Sequence, residues 1–249
     1  MDLTVLGTSG AYPGPGRMAS GYLVRHERFN LVMDLGNGAL STLQTQIAYH
    51  EIDAVVVSHS HPDHCVDLYA LFIARLFHPE PLPPIPLFGA AGVFDRIASL
   101  GSEVEELRQS YQVREVEPGE AFELGPFRIA TRPMSHWVPA MGMRIEADGQ
   151  ALAYSGDTGP TPELDALGRD VDVLITEASW LEGQQKGRDP FHLTARQAAE
   201  HAGRAEARRL VLSHFWPTND RGASRDQASD SFGGEITLAD EGMRLEVGE

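Results

Sequence analysis

Cysteine is almost missing from this chain: Cys65 is the only one in 249 residues. That excludes an internal disulfide and a thiolate-rich zinc site. Lysine is as scarce, with Lys186 alone, so the other basic residues are all arginine. Twenty basic residues face 36 acidic ones, a formal net charge of −16. Such a surface does not neutralise phosphate backbones, which argues against sequence-independent nucleic-acid binding. A small anionic substrate is still compatible, because bound metal ions invert the field locally. No apolar run approaches the ~20 residues that span a bilayer. The chain opens on the strand-like run Leu3–Leu6 rather than on a basic-then-apolar leader. The expectation is a soluble cytoplasmic protein with no membrane partner, folded as one domain over residues 1–249.

What the chain does have is the stretch Ser58-His59-Ser60-His61-Pro62-Asp63-His64, directly behind the apolar run Ala54–Val57. Three imidazoles and a carboxylate on one turn are costly to assemble unless something holds them, and a metal would. Zinc prefers such imidazole and carboxylate ligands. His59 and His61 alternate on an extended stretch, so both can face one ion. Asp63 and His64, at the opening of a helix, would face a second.

The rest of the chain reads as apolar strands and helices separated by Gly- and Pro-rich breaks. Strands are expected at Leu3–Leu6, Tyr22–Arg25, Asn30–Asp34, Ile52–Val57, Pro86–Phe88, Val113–Val116, Phe127–Thr131, Val171–Thr176 and Leu210–Ser213. Met141–Glu146 and Ala151–Ser155 form a hairpin through Asp148-Gly149, a strong two-residue turn signal. Glu235–Glu246 reads as a closing hairpin around Asp240-Glu241-Gly242. Helices are expected at Ala39–Ile47, Cys65–Phe77, Val93–Leu100, Thr194–Arg204 and Gly222–Phe232, the fourth opened by a capping box of Thr194 and Gln197. A run of strands followed by alternation with helices implies an α/β class: an αββα sandwich of two mixed sheets packed face to face, with helices outside.

The polar residues obey one regularity. Asp34, His59, His136, Asp157, Glu177 and His214 each stand at or just past the end of an apolar strand. Loops that leave the carboxyl ends of strands converge, and ligand sites form there. His136 then offers a third nitrogen to the first ion and His214 completes the second. Asp157, with two oxygens, is the natural bridge. Glu177 and His192 make a different pair, in which a carboxylate orients a histidine that donates protons near neutrality.

Weaker signals surround these. Trp137, Trp180 and Trp216 each lie within three residues of a proposed site residue. Their faces could stack a base, although core packing is the commoner use of tryptophan. Arg17, Ser20 and Ser135 could contact a phosphate from their loops. Cys65 reads as helix packing, and His26, His50, His78 and His201 as solvated.

The motifs His59-Ser60-His61-Pro62-Asp63-His64, His136, Ser155-Gly156-Asp157-Thr158, Glu177-Ala178-Ser179, His192-Leu193-Thr194 and Leu212-Ser213-His214, in this order along nearly the whole chain, resemble the metallo-β-lactamase fold superfamily. The Gly7-Thr8-Ser9-Gly10 loop and the Glu177/His192 pair are similar to its phosphodiesterase branch, which contains ribonuclease Z. The resemblance implies two divalent ions. His59, His61 and His136 would hold one, Asp63, His64 and His214 the other, and Asp157 would bridge them. Asp63 would also orient the attacking hydroxide, and Glu177–His192 would protonate the leaving oxygen. Zinc is expected on affinity grounds, with manganese or iron as alternatives set by availability. A homodimer is also implied.

Ribonuclease Z carries a long basic arm between the residues that match His136 and Asp157. Here they are 21 positions apart and a plain hairpin fills the gap, so tRNA is not the expected partner. A smaller actinobacterial group, which resembles atypical class II cyclic-nucleotide phosphodiesterases, shares Ala19-Ser20-Gly21-Tyr22-Leu23, the Asp63-His64-Cys65 extension through Leu68, and Glu177-Ala178-Ser179-Trp180. The expected activity is hydrolysis of a small, cyclic-nucleotide-like phosphodiester by a hydroxide held between two ions. The alternatives are an RNA 3′-end endonuclease, an acyl hydrolase of lactonase or thioesterase type, and a metal-binding protein without catalysis. Acyl hydrolases carry a His-x-Pro-Gly-His-type stretch, which is missing around His136.

Overall fold

The computed structural model describes residues 1–185 and 191–248. Two seven-stranded sheets pack face to face. The first runs β14 (Arg244–Glu246), β1 (Asp2–Gly7), β2 (Gly21–His26), β3 (Phe29–Leu35), β4 (Ala54–Val57), β5 (Ile85–Gly89), β6 (Tyr111–Glu115). The second runs β13 (Glu235–Leu238), β12 (Arg209–Ser213), β11 (Val173–Glu177), β10 (Gln150–Tyr154), β9 (Met141–Ala147), β8 (Phe127–Pro133), β7 (Ala121–Leu124). Each sheet mixes parallel and antiparallel pairs. This is the expected αββα sandwich.

The continuous apolar strands follow from burial on both faces. In β3, Leu31 and Met33 point between the sheets while Val32 and Leu35 point outward under helices. In β4, Ala54 and Val56 point in, Val55 and Val57 out. In β11, Val173 and Ile175 point in and Leu174 out. Each valine, leucine, isoleucine and methionine among them withdraws from water on a strand with no solvated face, contributing about 1.5–3 kcal/mol. The outer face of the first sheet is covered by α1 (Ala39–Leu43), α3 (Asp67–Leu76), α4 (Val93–Ala98) and α5 (Val104–Ser110). The second is covered by α6 (Pro162–Leu167), α7 (Ala195–Arg204) and α8 (Arg221–Ser229). Among the described residues, no helix is long and apolar enough to cross a membrane.

Several details differ from the sequence reading. The expected closing hairpin is not one: β13 pairs in parallel with β12, whereas β14 pairs with β1 of the other sheet. The Asp240-Glu241-Gly242 turn crosses between sheets, tied to the first by hydrogen bonds between Val5 and both Gly242 and Met243. The cause is that β12 and β1 each present a free edge, so pairing outward satisfies more backbone than pairing with each other. The expected helix from Cys65 breaks at Val66 into α2 (Pro62–Cys65) and α3. His201 is not solvated; it is buried on α7 with Nδ1 against Asp165. α5, α6 and β7 were not foreseen. The Asp148-Gly149 turn holds, with both residues at positive φ (49° and 77°). So does the Thr194–Gln197 capping box of α7.

Candidate metal centre and catalytic cleft

All six strand-end polar residues gather at one edge of the sandwich, beyond β3, β4, β8, β10, β11 and β12. The polypeptide is bent sharply to bring them there. Asp34 and His214 have left-handed backbones, φ 53° and 51°, a conformation costing on the order of 1–3 kcal/mol each. Gly156, at φ 57°, passes so close to Ser58 that a Cβ would lie 2.9 Å from the serine Cβ.

Two nests of ligand atoms result. In the first, His61 Nδ1 lies 3.1 Å from both His59 Nε2 and His136 Nε2, and His59 Nε2 lies 3.6 Å from Asp157 Oδ2. In the second, His64 Nε2 and His214 Nε2 are 3.2 Å apart. Asp63 Oδ2 stands 3.2 Å from His214 Nε2, and Asp157 Oδ1 stands 3.1 and 3.3 Å from the two imidazoles. Atoms bound about 2.05 Å from a tetrahedral ion are roughly 3.3 Å apart, so both nests fit one. Asp157 sends one oxygen to each. Its Oδ1 is buried and accepts no hydrogen bond, and an orphan of that kind calls for a positive partner. Ligand atoms in each nest lie within 4.8 Å of one another.

Protonation follows position. Burial, then the charge on His64, hold His59 well below the usual histidine range. Burial and the neighbouring His136 lower His61 to about 4, and burial lowers His136. The first nest is therefore three neutral imidazoles, the form a metal requires. Burial opposes charge on His64, but Asp157, Asp63 and Asp34 together raise its pKa well above normal. Burial would also favour the acid form of Asp157, yet His214, His64 and His59 hold it far down as a carboxylate.

A second layer aims these groups. Asp34 accepts from His64 Nδ1 at 2.7 Å, from Ser58 N and Oγ at 2.7 Å, and from Tyr154 OH at 2.8 Å. His64 is left with Nε2 facing the nest. His136 Nδ1 donates to Phe191 O at 3.1 Å. Ala11 N donates to Asp63 Oδ2 at 2.8 Å, so the Gly7–Ala11 loop fixes that carboxylate.

Glu177 and His192 also meet: His192 Nδ1 lies 3.1 Å from Glu177 Oε2, and 3.8 Å from Asp157 Oδ2. Burial disfavours the imidazolium, but Glu177 outweighs it and lifts His192 to about 9. Its ring lines a cavity of about 970 Å³ that opens over the metal nests. Trp137 and Phe191 form one aromatic pair of this wall, centroids 5.4 Å apart. Trp180 and Trp216 form another, stacked at 4.7 Å. Gln184 and Gln185 add amides.

All three tryptophans thus line the cavity rather than the core. Arg17, Ser20 and Ser135 do not line it. Arg17 is drawn into ion pairs with Asp240 and Glu241, Ser20 is fully buried, and Ser135 is exposed beside the Thr158 loop, its backbone N–H donating to Thr158 Oγ1. Cys65 is buried, as expected. The orienting roles of Asp34, Ser58 and Tyr154, and the lining by Phe191, Gln184 and Gln185, were not read from the sequence. Asp34 alone carried a signal, its place at a strand end.

Residues 29–215 match the family described as Beta-lactamase superfamily domain. The chain belongs to this superfamily, as a metallo-hydrolase. It is 34% identical to an uncharacterized protein of Mycobacterium leprae over 98% of this chain and 88% of that one. It is 30% identical to ribonuclease Z of Kineococcus radiotolerans over 86% and 83%. Among solved structures, the metallo-beta-lactamase fold protein YhfI of Bacillus subtilis superposes with a TM-score of 0.88 at 26% identity, covering 98% of this chain and 99% of that one. The short form of human tRNase Z gives 0.81 at 26%, over the full length of both chains.

Proposed function

We propose that this protein is a binuclear metal-dependent phosphodiesterase acting on a small, cyclic nucleotide or a closely related phosphodiester. The observation that carries the reading is the Glu177–His192 pair, set 3.1 Å apart at the mouth of the two nests. An acyl hydrolase expels its leaving group with less help, whereas an alkoxide leaving phosphorus needs a proton.

His59, His61 and His136 would hold one ion, Asp63, His64 and His214 the other, and Asp157 would bridge them. Two divalent ions, zinc by preference and manganese or iron by availability, supply an acidified water and neutralise charge on the phosphoryl oxygens. Asp63, steadied by Ala11 N, accepts a hydrogen bond from the attacking water and orients it. The water, having lost one proton to solvent, would form a bond from its oxygen to phosphorus while the bond to the leaving oxygen breaks. His192 gives that oxygen a proton from Nε2, while Glu177 holds Nδ1 and balances the charge. The aromatic walls suit a planar base, and the net charge of −16 suits a substrate carrying one phosphodiester rather than a polyanion.

Turnover of 3′,5′-cyclic AMP and of bis(p-nitrophenyl) phosphate by zinc- or manganese-loaded protein tests this. Cleavage of both is expected, and inactivity on both would overturn it. The likeness to ribonuclease Z favours a second reading, RNA 3′-end cleavage. Against it stand the net charge of −16 and the β9–β10 hairpin between His136 and Asp157, which leaves no arm to grip tRNA. Cutting of precursor tRNA in preference to the small diesters would establish that alternative.

A further inference from the structure

Ser179 is absent from the ligand sets and from the acid pair, yet its hydroxyl lies between them. Its Oγ is 2.6 Å from Glu177 Oε2, 2.8 Å from His214 Nδ1 and 3.1 Å from His214 O. The side chain is fully buried. One hydroxyl proton has two oxygen acceptors, and the nearer is a carboxylate, which forms the shorter and stronger bond. The proton therefore goes to Glu177, and Oγ is left with lone pairs toward His214. Only a protonated Nδ1 can face it, so the His214 lone pair is forced onto Nε2, the atom that faces Asp63 and Asp157. Close approach here is also permitted by Gly10, where a Cβ would lie 2.6 Å from His214 Nδ1.

Glu177 is pinned from the other side as well. Its Oε1 accepts from Thr158 N at 2.6 Å, the residue next to Asp157. A continuous chain follows: His214 Nδ1–H to Ser179, Ser179 O–H to Glu177, and His192 Nδ1–H to the same carboxylate.

We propose that Ser179 is a positioning residue that locks His214 in its ligating tautomer and, by the same hydroxyl, holds Glu177 in place behind His192. Its consequences for leaving-group protonation rest on the phosphodiesterase reading, while those for metal binding do not. Ser179→Ala removes one oxygen and leaves too little space for a water to replace it. The expected result is a folded protein with a normal melting curve and 10–100-fold weaker zinc binding at one site by competition with a chromophoric chelator. In zinc-loaded, histidine-¹⁵N-labelled protein, the downfield signal of the protected His214 Nδ1–H should be present in wild type and lost in the variant. Turnover of 3′,5′-cyclic AMP should fall several-fold more than that of bis(p-nitrophenyl) phosphate, whose phenolate leaves without help. Ser179→Thr, which restores the hydroxyl, should recover zinc affinity and the signal. Wild-type zinc affinity together with a retained Nδ1–H signal in Ser179→Ala would overturn the proposal. If the wild type cleaves no phosphodiester, the phosphodiesterase reading fails, and the chelator and NMR measurements still decide for or against Ser179.

Discussion

His192 carries an electrostatic burden. Its charged form is stabilised only in the folded chain, where Glu177 overcomes the cost of burial and places the pKa at about 9, against about 6.5 unfolded. That stabilisation is complete below pH 6.5 and disappears as pH rises through 9. It amounts to on the order of 3 kcal/mol. The melting temperature of metal-free protein should therefore decline between pH 6.5 and 9, and His192→Gln should make the decline shallower. Asp34 acts through geometry instead. It holds His64 Nδ1 at 2.7 Å, so Asp34→Asn, with an amide free to present its nitrogen, should weaken metal binding by about 10–100-fold. Titration with a zinc indicator would show this, and unchanged affinity would mean that Tyr154 and the helix alone orient His64. Both residues were visible in the sequence at strand or helix boundaries. The direction of the His64 ring was not, because it depends on a partner thirty positions away.

Among the elements, the β4–α2 turn matters most, since Asp63 and His64 leave it on a helix of only four residues, Pro62–Cys65. Pro62 sets the first helical position, where no backbone donor is missed. The turn lies directly on the loop after β3: a Cβ on Gly36 would sit 1.9 Å from Asp63 O. Gly36→Ala must push the turn away, so both metal content by emission spectrometry and thermal stability should drop sharply. Full metal occupancy in that variant would contradict so tight a contact. α6 shows how an element can be signalled and still be overlooked. Thr161 caps it and Pro162 opens it, yet Pro162–Leu167 is too short for periodicity to stand out. α5 and β7 escaped for a related reason, being short and largely exposed.

At the scale of the molecule, two sheets and their helices spend their packing on bringing buried carboxylates and imidazoles to one edge. Asp34, Asp63 and Asp157 are each under a tenth exposed, and such groups are costly until a cation joins them. Stripping the metal with a chelator should lower the melting temperature. Restoring zinc at about a hundredfold over its Kd should raise it by on the order of 5–10 °C, from about 2.7 kcal/mol of linkage. A melting curve indifferent to chelator would show that the nests hold no ion in solution. The sequence by itself determined the sandwich, because strands buried on both faces must be apolar throughout. It also singled out the seven side chains that gather into the two nests, because imidazoles and carboxylates at strand ends and on the turn after β4 have few other uses. The tertiary structure decided what depends on contacts between distant segments. The last two strands part to opposite sheets because each sheet had an open edge. Three tryptophans stand on a cavity wall because the loops that bear them converge there. Arg17 turns from the cavity to Asp240 and Glu241, a pairing that no local pattern encodes.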